Sequence, residues 1–200
     1  MSDDQRSSIG QRIHVLGNSS SGKSTFGLRL SKALGVSCVE LDALNWEPGW
    51  VGLHDTNPEE LERRFREATT GNGWVAAGSY RGFSQRAFWP RLQTAIFLDL
   101  PVPQLLWRML TRSWRLWRSR ELLWGTNRER FWQQLMVWKK EDSLVWWIVT
   151  QQTRKRNSWL KHKADPQWRH IRFVRLRSSR EIEAFIRSVE ARALRSPSPD

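Results

Sequence analysis

The sequence predicts an α/β fold in which a five-stranded parallel sheet carries helices on both faces. Short apolar segments alternate with longer amphipathic ones, and this alternation of strands and helices is typical of parallel sheets. A glycine-rich loop between the first predicted strand and the first predicted helix supports the same fold class. The strands are expected at 12–16, 37–41, 73–77, 94–100 and 170–176, and the helices at 22–34, about 57–70, 101–118, 128–137, 140–161 and 179–194.

The loop at 17–25 reads Gly-Asn-Ser-Ser-Ser-Gly-Lys-Ser-Thr and matches the phosphate-binding pattern G-x-x-x-x-G-K-[ST]. Gly17 and Gly22 allow the chain to curl so that backbone N–H groups point at phosphates. Lys23 offers an ammonium to the β- and γ-phosphates, and Ser24 offers a hydroxyl to Mg²⁺. The alternative is a turn without a ligand, but a random match in 200 residues is expected only roughly one time in a hundred. The predicted nucleotide-binding residues are Gly17, Asn18, Ser19, Ser20, Ser21, Gly22, Lys23, Ser24 and Thr25.

The first helix presents Phe26 and Leu30 on one face, and Gly35 is placed to end it. Asp42 follows the second strand, and ligands gather at the carboxyl ends of strands in open α/β sheets. There Asp42 could accept a proton from a substrate hydroxyl or hold Mg²⁺ through water. The alternative is that Asp42 caps the turn that follows it.

The next helix begins with Asn57 as its N-cap and Pro58 at its first position. Arg81 follows the third strand in the segment Gly-Ser-Tyr-Arg-Gly and is predicted to clamp an acceptor phosphate or a polar substrate. An arginine on a surface loop is the alternative. Asp99 ends the fourth strand just before Pro101, where a capping role is the favoured interpretation.

Charge and tryptophan are both concentrated in the second half of the chain. Residues 1–100 are balanced, so residues 101–200 carry the whole net charge of +13. A strongly basic half of this kind indicates nucleic acid, an anionic membrane or a phosphorylated substrate as a partner. The alternative is a solvated helical surface without a partner. Nine of the 14 tryptophans lie between residues 107 and 159. We expect a packed helix seam, with base stacking or a membrane-interface face as the alternatives.

A loop at 119–127 between two basic helices is predicted to lie over the site. Phosphoryl transfer needs positive charge around the moving group, and arginines near this loop are placed to supply it. Arg120 and Arg128 flank the loop and are predicted to act in catalysis. Arg112, one helical turn from Arg108, is predicted to contact the nucleotide.

The expected organisation is a single domain over residues 11–195 with a lid at about 115–130, a flexible leader at 1–10 and a disordered tail at 196–200. The single cysteine, Cys38, excludes an intramolecular disulfide and favours a reducing cytoplasmic location. The beginning of the chain does not resemble a signal peptide, and the apolar run at 144–149 is too short to span a bilayer.

Together these segments resemble the adenylate-kinase-like P-loop proteins often labelled DNA topology modulation proteins. The resemblance is carried by the phosphate loop, the block Leu-Asp-Ala-Leu-Asn-Trp-Glu-Pro-Gly-Trp at 41–50, and the segments 74–81, 95–101, 121–127 and 174–181. It implies a P-loop kinase fold with a helical lid insertion, and ATP with Mg²⁺ as the phosphate donor. It also places Arg177 and Ser178 beside the adenine. Within the matching block and turn, Asp42, Trp46 and Arg81 are the predicted substrate contacts.

The chain departs from this family at two positions of one segment. Ala77 stands where relatives usually carry an Asp that interacts with Mg²⁺ indirectly, and Ser79 replaces an Asn. Asp42 and Asp99 are the candidates for the missing carboxylate.

Two functions therefore remain open at the level of sequence. The first is an ATP-dependent kinase of a small nucleotide, nucleoside or other hydroxyl acceptor. The second is a nucleotide-gated nucleic-acid-binding protein that uses the basic, Trp-rich half of the chain.

Overall fold

A computed structural model of the protein describes residues 9–119, 122–123, 127–128 and 144–194. Its strands are β1 (Arg12–Gly17), β2 (Ser37–Glu40), β3 (Trp46–Glu47), β4 (Val51–Gly52), β5 (Trp74–Ala77), β6 (Thr94–Leu98), β7 (Leu122–Leu123), β8 (Asn127–Arg128) and β9 (Arg172–Leu176). Its α-helices are α1 (Lys23–Leu34), α2 (Leu41–Asn45), α3 (Leu53–Thr56), α4 (Pro58–Ala68), α5 (Arg81–Ala87), α6 (Val102–Ser119), α7 (Leu144–Ala164) and α8 (Ser179–Ala193). Single 3₁₀ turns lie at Trp89–Arg91 and Pro166–Trp168.

Five strands form one parallel sheet in the order β2-β5-β1-β6-β9. The predicted α/β class and the five-stranded parallel sheet are therefore confirmed. Two antiparallel pairs, β3 with β4 and β7 with β8, stand outside this sheet. The sequence pattern did not predict α2, α3, α5 or the β3–β4 pair, because these elements are too short to show a periodic pattern.

The structure differs in part from the loop predicted at 119–127 and the helix predicted at 128–137. Leu122–Leu123 pairs with Asn127–Arg128, so the predicted loop contains a short hairpin, and Arg128 lies in a strand where a helix was expected to begin. The remainder of the predicted helix at 128–137 lies outside the described residues. The next predicted helix, at 140–161, corresponds to α7 and extends to Ala164.

Each face of the sheet is covered by a separate apolar layer. Alternation along β1 sends Ile13 and Val15 to one face, where they pack with α1 and α8 through Phe26, Leu30, Ile186 and Val189. Leu16 and Phe97 point to the other face, which is covered by α4, α5 and α7 through residues that include Leu61, Phe65, Phe88 and Trp159. Complete burial of each such side chain contributes about 1.5–3 kcal/mol, so the two layers fix the sheet between its helices.

Two tryptophans on α6, Trp107 and Trp114, do not lie in the packed seam that was expected. Trp107 and Trp114 are 68% and 52% exposed, whereas the buried side of the helix carries Leu105, Met109 and Ser113. Three- and seven-residue spacing defines a stripe along a helix, but it does not say which side of the helix faces the core. The seam interpretation is wrong for these two tryptophans.

Within the described ranges, no helix combines the length and the apolar character required to cross a membrane.

One titratable group, His14, lies inside the sheet and is completely buried. The indole Nε1 of Trp89 donates to its Nδ1 at 3.0 Å, and its Nε2 lies 3.1 Å from the carbonyl oxygen of Gly78. This arrangement places the single ring proton on Nε2, because Nδ1 must accept. Burial lowers the pKa of His14 to about 3, although the bond to Gly78 acts in the opposite direction.

We predict that His14 makes the fold sensitive to acid. The unfolded chain takes up a proton near pH 6.5 while the folded chain does not until about pH 3, so the free energy of unfolding falls across that interval. The His14 contribution is about 1.4 kcal/mol per pH unit and on the order of 5 kcal/mol in total. Urea unfolding at a series of pH values measures it.

The control compares His14→Asn with His170→Asn, since His170 is an exposed histidine. The pH slope between 6.5 and 4.5 should shrink by about 1 kcal/mol per unit in His14→Asn and stay unchanged in His170→Asn. Equal slopes in the two variants would show that His14 is not held neutral by the fold.

Candidate functional site

The carboxyl ends of all five parallel strands meet at one edge of the sheet. Gly17 is opposite Leu98, Leu98 is opposite Leu176, and Glu40 is opposite Ala77. The residues that follow these positions are therefore brought together at the same edge. They include the phosphate loop, Asp42, the turn after β5, Asp99 and Arg177, as expected for the ligand side of an open α/β sheet.

The phosphate loop closes on itself through its own bonds. The Ser21 N–H donates to the Asn18 carbonyl oxygen at 3.3 Å, and Lys23 Nζ donates to the same oxygen at 2.9 Å. Ser20 and Gly22 have positive φ angles of 59° and 89°, which turn the chain toward the start of α1. The N–H of Phe26 is bonded to the Gly22 carbonyl at 2.9 Å. The N–H groups of the first helical residues, Lys23, Ser24 and Thr25, have no intrahelical acceptor and are available to an anion.

The residues of the loop fit a bound phosphate. Among the described residues, the buried Oγ atoms of Ser20 and Ser21 lack a hydrogen-bond partner. A buried hydroxyl without a partner costs about 1–3 kcal/mol, and phosphate oxygens would supply acceptors. Only glycine fits at position 17, where the loop backbone lies close to Ser21 and to β6. A Cβ there would lie 2.5 Å from Ser21 Oγ and 3.1 Å from the Leu98 carbonyl oxygen.

A divalent metal would be held jointly with the phosphates. No cluster of three or more His, Cys, Asp or Glu side chains exists within the described ranges. Mg²⁺ typically binds through one or two protein oxygens, phosphate oxygens and waters, so it does not require such a cluster. Ser24 is exposed in the first turn of α1 and meets this requirement.

Lys23 interacts electrostatically with two other predicted site residues, Asp42 and Arg112. Burial lowers the pKa of its ammonium, the Asp42 carboxylate raises it, Arg112 lowers it and Glu40 raises it. These side chains therefore lie within electrostatic reach of one another. The structure brings together Lys23, Asp42 and Arg112, which the sequence had placed in one site from separate segments.

Asp42 lies beside the only tyrosine of the chain, Tyr80. The pKa of Tyr80 is raised first by burial, and then by the charge of Asp42 and a hydrogen bond to it. Trp46 packs edge-on against His54, with ring centroids 5.6 Å apart, and His54 packs in the same way against Tyr80 at 6.1 Å. Trp46 is thus connected to Asp42 through His54 and Tyr80. The sequence pattern did not assign Tyr80 to the site.

Arg108 connects the phosphate loop to the first residue of α8. Its guanidinium donates to the Ser21 carbonyl oxygen at 3.2 Å and to Ser179 Oγ at 2.8 Å. Arg108 therefore links the phosphate loop to the residue that directly follows Arg177 and Ser178 in the chain.

Ser178 has a structural role of its own. Its Oγ accepts from the Glu181 N–H at 3.1 Å, and a Glu181 carboxylate oxygen accepts from the Arg177 N–H at 2.8 Å. These reciprocal bonds cap the N-terminus of α8. The predicted contact of Arg177 and Ser178 with adenine stays a prediction.

Asp99 is not available as the missing metal carboxylate or as a helix cap. Its side chain is 1% exposed and pairs with Arg156 and Arg175. It also accepts from Gln152 Nε2 at 2.8 Å. The expected capping role is wrong, because the arginines and the glutamine occupy both carboxylate oxygens.

A small cavity of about 20 Å³ lies beside the phosphate loop on the α7 side of the sheet. Ser79 Oγ and Lys155 Nζ both donate to the Gly17 carbonyl oxygen at its edge, at 2.8 and 3.3 Å. The cavity is lined by Leu16, Gly17, Ser79, Trp89, Phe97, Lys155, Trp159 and His162. Its volume is enough for about one water molecule, so in this conformation it is a small gap with an aromatic wall next to the phosphate loop.

Two of the predicted arginines fall where side chains are not described. Arg81 begins α5 and Arg128 lies in β8, but only their backbone positions are established. Arg120 lies outside the described residues.

No protein-family model matches the sequence, and no curated protein matches it significantly. Solved structures do match. A gluconokinase from Sinorhizobium meliloti 1021 has 17% identity and a TM-score of 0.50, over 94% of this chain and 93% of that one. A sugar kinase from Janibacter sp. HTCC2649 has 15% identity and a TM-score of 0.49 over 93% of each chain. A shikimate kinase from Acinetobacter baumannii has 16% identity and a TM-score of 0.47, over 94% of this chain and 96% of that one. The likeness to the gluconokinase shows that this chain shares the fold of that protein.

We predict that Gly17→Ala destabilises the loop. The methyl group would displace the Ser21 hydroxyl and press on the Leu98 carbonyl, which is fixed by the pairing of β1 with β6. The expected loss is about 1–3 kcal/mol of unfolding free energy, measured by urea denaturation. Gly71→Ala is the matched control, since the nearest atom to a Cβ there is 3.9 Å away. A Gly17→Ala protein as stable as Gly71→Ala would contradict the close packing of the loop.

Proposed function

We propose that the protein is an ATP-dependent kinase that transfers phosphate to a small nucleotide, nucleoside or other hydroxyl-bearing acceptor. The observation that carries the proposal is a closed phosphate loop, with Lys23 and unpartnered serine hydroxyls, that faces Asp42 at the same sheet edge. The P-loop kinase fold agrees with it.

On the donor side, residues 17–25 would hold the triphosphate. The N–H groups at the start of α1 and the ammonium of Lys23 would neutralise the phosphates, and Ser24 would bind Mg²⁺. Bound Mg²⁺–ATP would supply the phosphoryl group and part of the neutralising charge. Arg112 lies close enough to Lys23 to add positive charge, and Arg177 and Ser178 would lie near the base.

On the acceptor side, Asp42 would receive the proton of the attacking hydroxyl. It lies near Lys23, and the neighbouring Tyr80 hydroxyl orients its carboxylate. Ser79 and Lys155 border the adjacent cavity, and the aromatic wall of Trp89, Phe97 and Trp159 limits access of water. Trp46 and Arg81 complete the proposed acceptor contacts.

Asp42 is also the proposed carboxylate for the metal. Ala77 is buried, and a Cβ on Gly27 of α1 would lie only 3.2 Å from the Ala77 side chain. Asp99 is held by arginines. Asp42 therefore takes both roles, as proton acceptor and as a ligand of Mg²⁺ through water.

The remaining parts of the proposal concern organisation. We propose one domain over residues 11–195 with a lid at about 115–130. In this arrangement Arg120 and Arg128 would stabilise the transferred phosphoryl group from the lid. The flexible leader predicted at 1–10 does not extend to Ile9, which is buried and whose carbonyl oxygen accepts from Thr94 Oγ1. The rest of that leader and the tail predicted at 196–200 lie outside the described residues. We also propose a cytoplasmic location, on the basis of the single cysteine.

We predict that phosphate transfer depends on Lys23. Radiolabelled ATP with Mg²⁺ is incubated with a panel of nucleosides, nucleotides and sugar acids, and product formation is measured for the wild type, Lys23→Ala and Lys32→Ala. Lys23→Ala should lower the rate at least about 100-fold because it removes the charge at the transferring phosphate. Lys32→Ala, an exposed lysine in the last turn of the same helix, should leave the rate unchanged.

Asp42→Asn tests the second charged residue of the proposed site in the same assay. We expect kcat to fall about 100- to 10,000-fold, as for loss of a general base. Transfer to no member of the panel above the Lys23→Ala rate would refute the proposed function.

A second candidate, nucleic-acid binding, is favoured by one observation. Trp107 and Trp114 are exposed on α6, where Arg115 and Arg118 are also exposed. Exposed indoles and arginines on one helix suit base stacking and phosphate contacts. The label of the DNA topology modulation proteins points the same way, but no comparison supports that label.

For this candidate we predict that Trp107→Ala/Trp114→Ala weakens binding of a single-stranded oligonucleotide about tenfold or more. Fluorescence anisotropy at about 50 and 200 mM NaCl measures the affinity and its salt dependence. Leu194→Ala removes an exposed apolar side chain elsewhere and is the control. Absence of binding by the wild type at low salt would eliminate the candidate.

A further inference from the structure

Three buried polar side chains form a hydrogen-bonded chain behind the phosphate loop. Asp99 follows β6, Gln152 lies in the middle of α7, and Asn18 is the second residue of the loop. All three are buried, with exposed fractions of 3%, 5% and 0%. Asp99 accepts from Gln152 at 2.8 Å, and Gln152 accepts from Asn18 at 2.9 Å. Buried polar chains of this kind are stable only when every member is satisfied.

The orientation of the Gln152 amide is fixed by its neighbours. Its Nε2 donates to Asp99 Oδ1 at 2.8 Å and to the Leu100 carbonyl oxygen at 3.0 Å. Both of its N–H donors are thus used, and its Oε1 must face Asn18. A flipped amide would set Oε1 against a carboxylate and a carbonyl, where no donor is present.

The same reasoning fixes Asn18. Its Nδ2 donates to Gln152 Oε1 and to the Ile148 carbonyl oxygen, both at 2.9 Å. Its Oδ1 therefore accepts, and it receives the N–H of Ser19 at 2.8 Å. The negative charge of Asp99 thus dictates, through two amides, the direction of a hydrogen bond inside the phosphate loop.

The far end of the chain is anchored by charge. Arg175 on β9 donates to Asp99 Oδ2 from Nε at 2.8 Å. Arg156 on α7 donates to both carboxylate oxygens at 3.1 Å. Asp99 is therefore held to β9 and α7 by charge-assisted bonds that do not involve the phosphate loop.

Helix α7 supplies three residues of one face to the contacts around Asn18 and Asp99. Ile148, Gln152 and Arg156 are spaced by four residues, so they lie above one another on consecutive turns. Lys155 on the same helix donates to the Gly17 carbonyl oxygen at 3.3 Å. The placement of α7 and the conformation of the phosphate loop are consequently linked by direct bonds.

We propose that Asp99 and Gln152 are positioning residues that hold the phosphate loop in its nucleotide-binding conformation through Asn18. The proposal rests on the proposed function for its link to ATP. Its structural part, the control of the Asn18–Ser19 bond, does not need a ligand.

The test compares Gln152→Leu with Arg154→Gln. Gln152→Leu breaks the chain between Asp99 and Asn18, whereas Arg154→Gln changes an exposed residue of α7 that lies outside it. Two readouts are used on the full-length protein: amide hydrogen exchange of Ser19 by NMR without ligand, and binding of Mg²⁺–ATP by calorimetry. Urea unfolding of each variant verifies that it is folded.

We expect the Ser19 amide to exchange at least about tenfold faster in Gln152→Leu, because Asn18, whose Oδ1 accepts this N–H, loses one of the two bonds that orient its side chain. ATP affinity should fall about tenfold or more, and Arg154→Gln should resemble the wild type in both readouts. The variant Gln152→Glu should be impaired because it faces Asp99 with a second carboxylate. Asp99→Asn/Gln152→Glu restores one negative charge and a donor–acceptor pair, and should recover part of the affinity.

The outcomes separate the two proposals. Unchanged Ser19 exchange in Gln152→Leu overturns the positioning role, as does wild-type ATP affinity in a folded Gln152→Leu. Failure of the double variant to improve on Gln152→Glu also counts against it. If the wild type binds no ATP, the proposed function fails, and faster Ser19 exchange in Gln152→Leu would then support the structural part alone.

Discussion

The phosphate loop is closed by bonds to a single carbonyl oxygen, that of Asn18, and the rest of the site is arranged around this closure. Ser21 N–H and Lys23 Nζ both donate to it. The closed form requires Ser20 and Gly22 at positive φ, which for Ser20 costs on the order of 1 kcal/mol. It also leaves serine hydroxyls buried without partners. A conformation with these costs is retained because the fold imposes it, and a loop already in its binding conformation loses less entropy when a ligand binds.

Much of the fold could be predicted from the sequence. The five sheet strands are short apolar runs between clear breakers, so periodicity located them to within about two residues. The helix that starts at Pro58 was identified by its cap, and Asn57 does accept from the Glu60 N–H. The segment 41–56 was not predicted, because its helices and hairpin are held by contacts rather than by periodicity. The Asn45 side chain, for example, accepts from the His54 N–H at 3.0 Å.

The site was predictable where its residues follow strands and was not where they come from distant helices. Residues 17–25 and Asp42 follow strand ends, whose meeting is a general rule of parallel sheets. Asp99 follows a strand end as well, but its arginine partners lie 57 and 76 residues further along the chain. The proximity of Asp99 to Pro101 suggested a cap, since only the three-dimensional packing reveals those arginines. Exposure of Trp107 and Trp114 was missed for a related reason: spacing gives a stripe but not its orientation.

Helix α7 contributes to both sides of the site. Gln152 bonds to Asn18 of the phosphate loop, and Lys155 and Trp159 line the cavity beside it. A displacement of this helix would therefore alter the phosphate loop and the adjacent cavity together. If a ligand bound on one side changes the affinity for a ligand on the other, linkage requires that the second ligand change the affinity for the first by the same factor. For the proposed kinase, a helix that contacts both sides gives a physical route for such coupling between donor and acceptor.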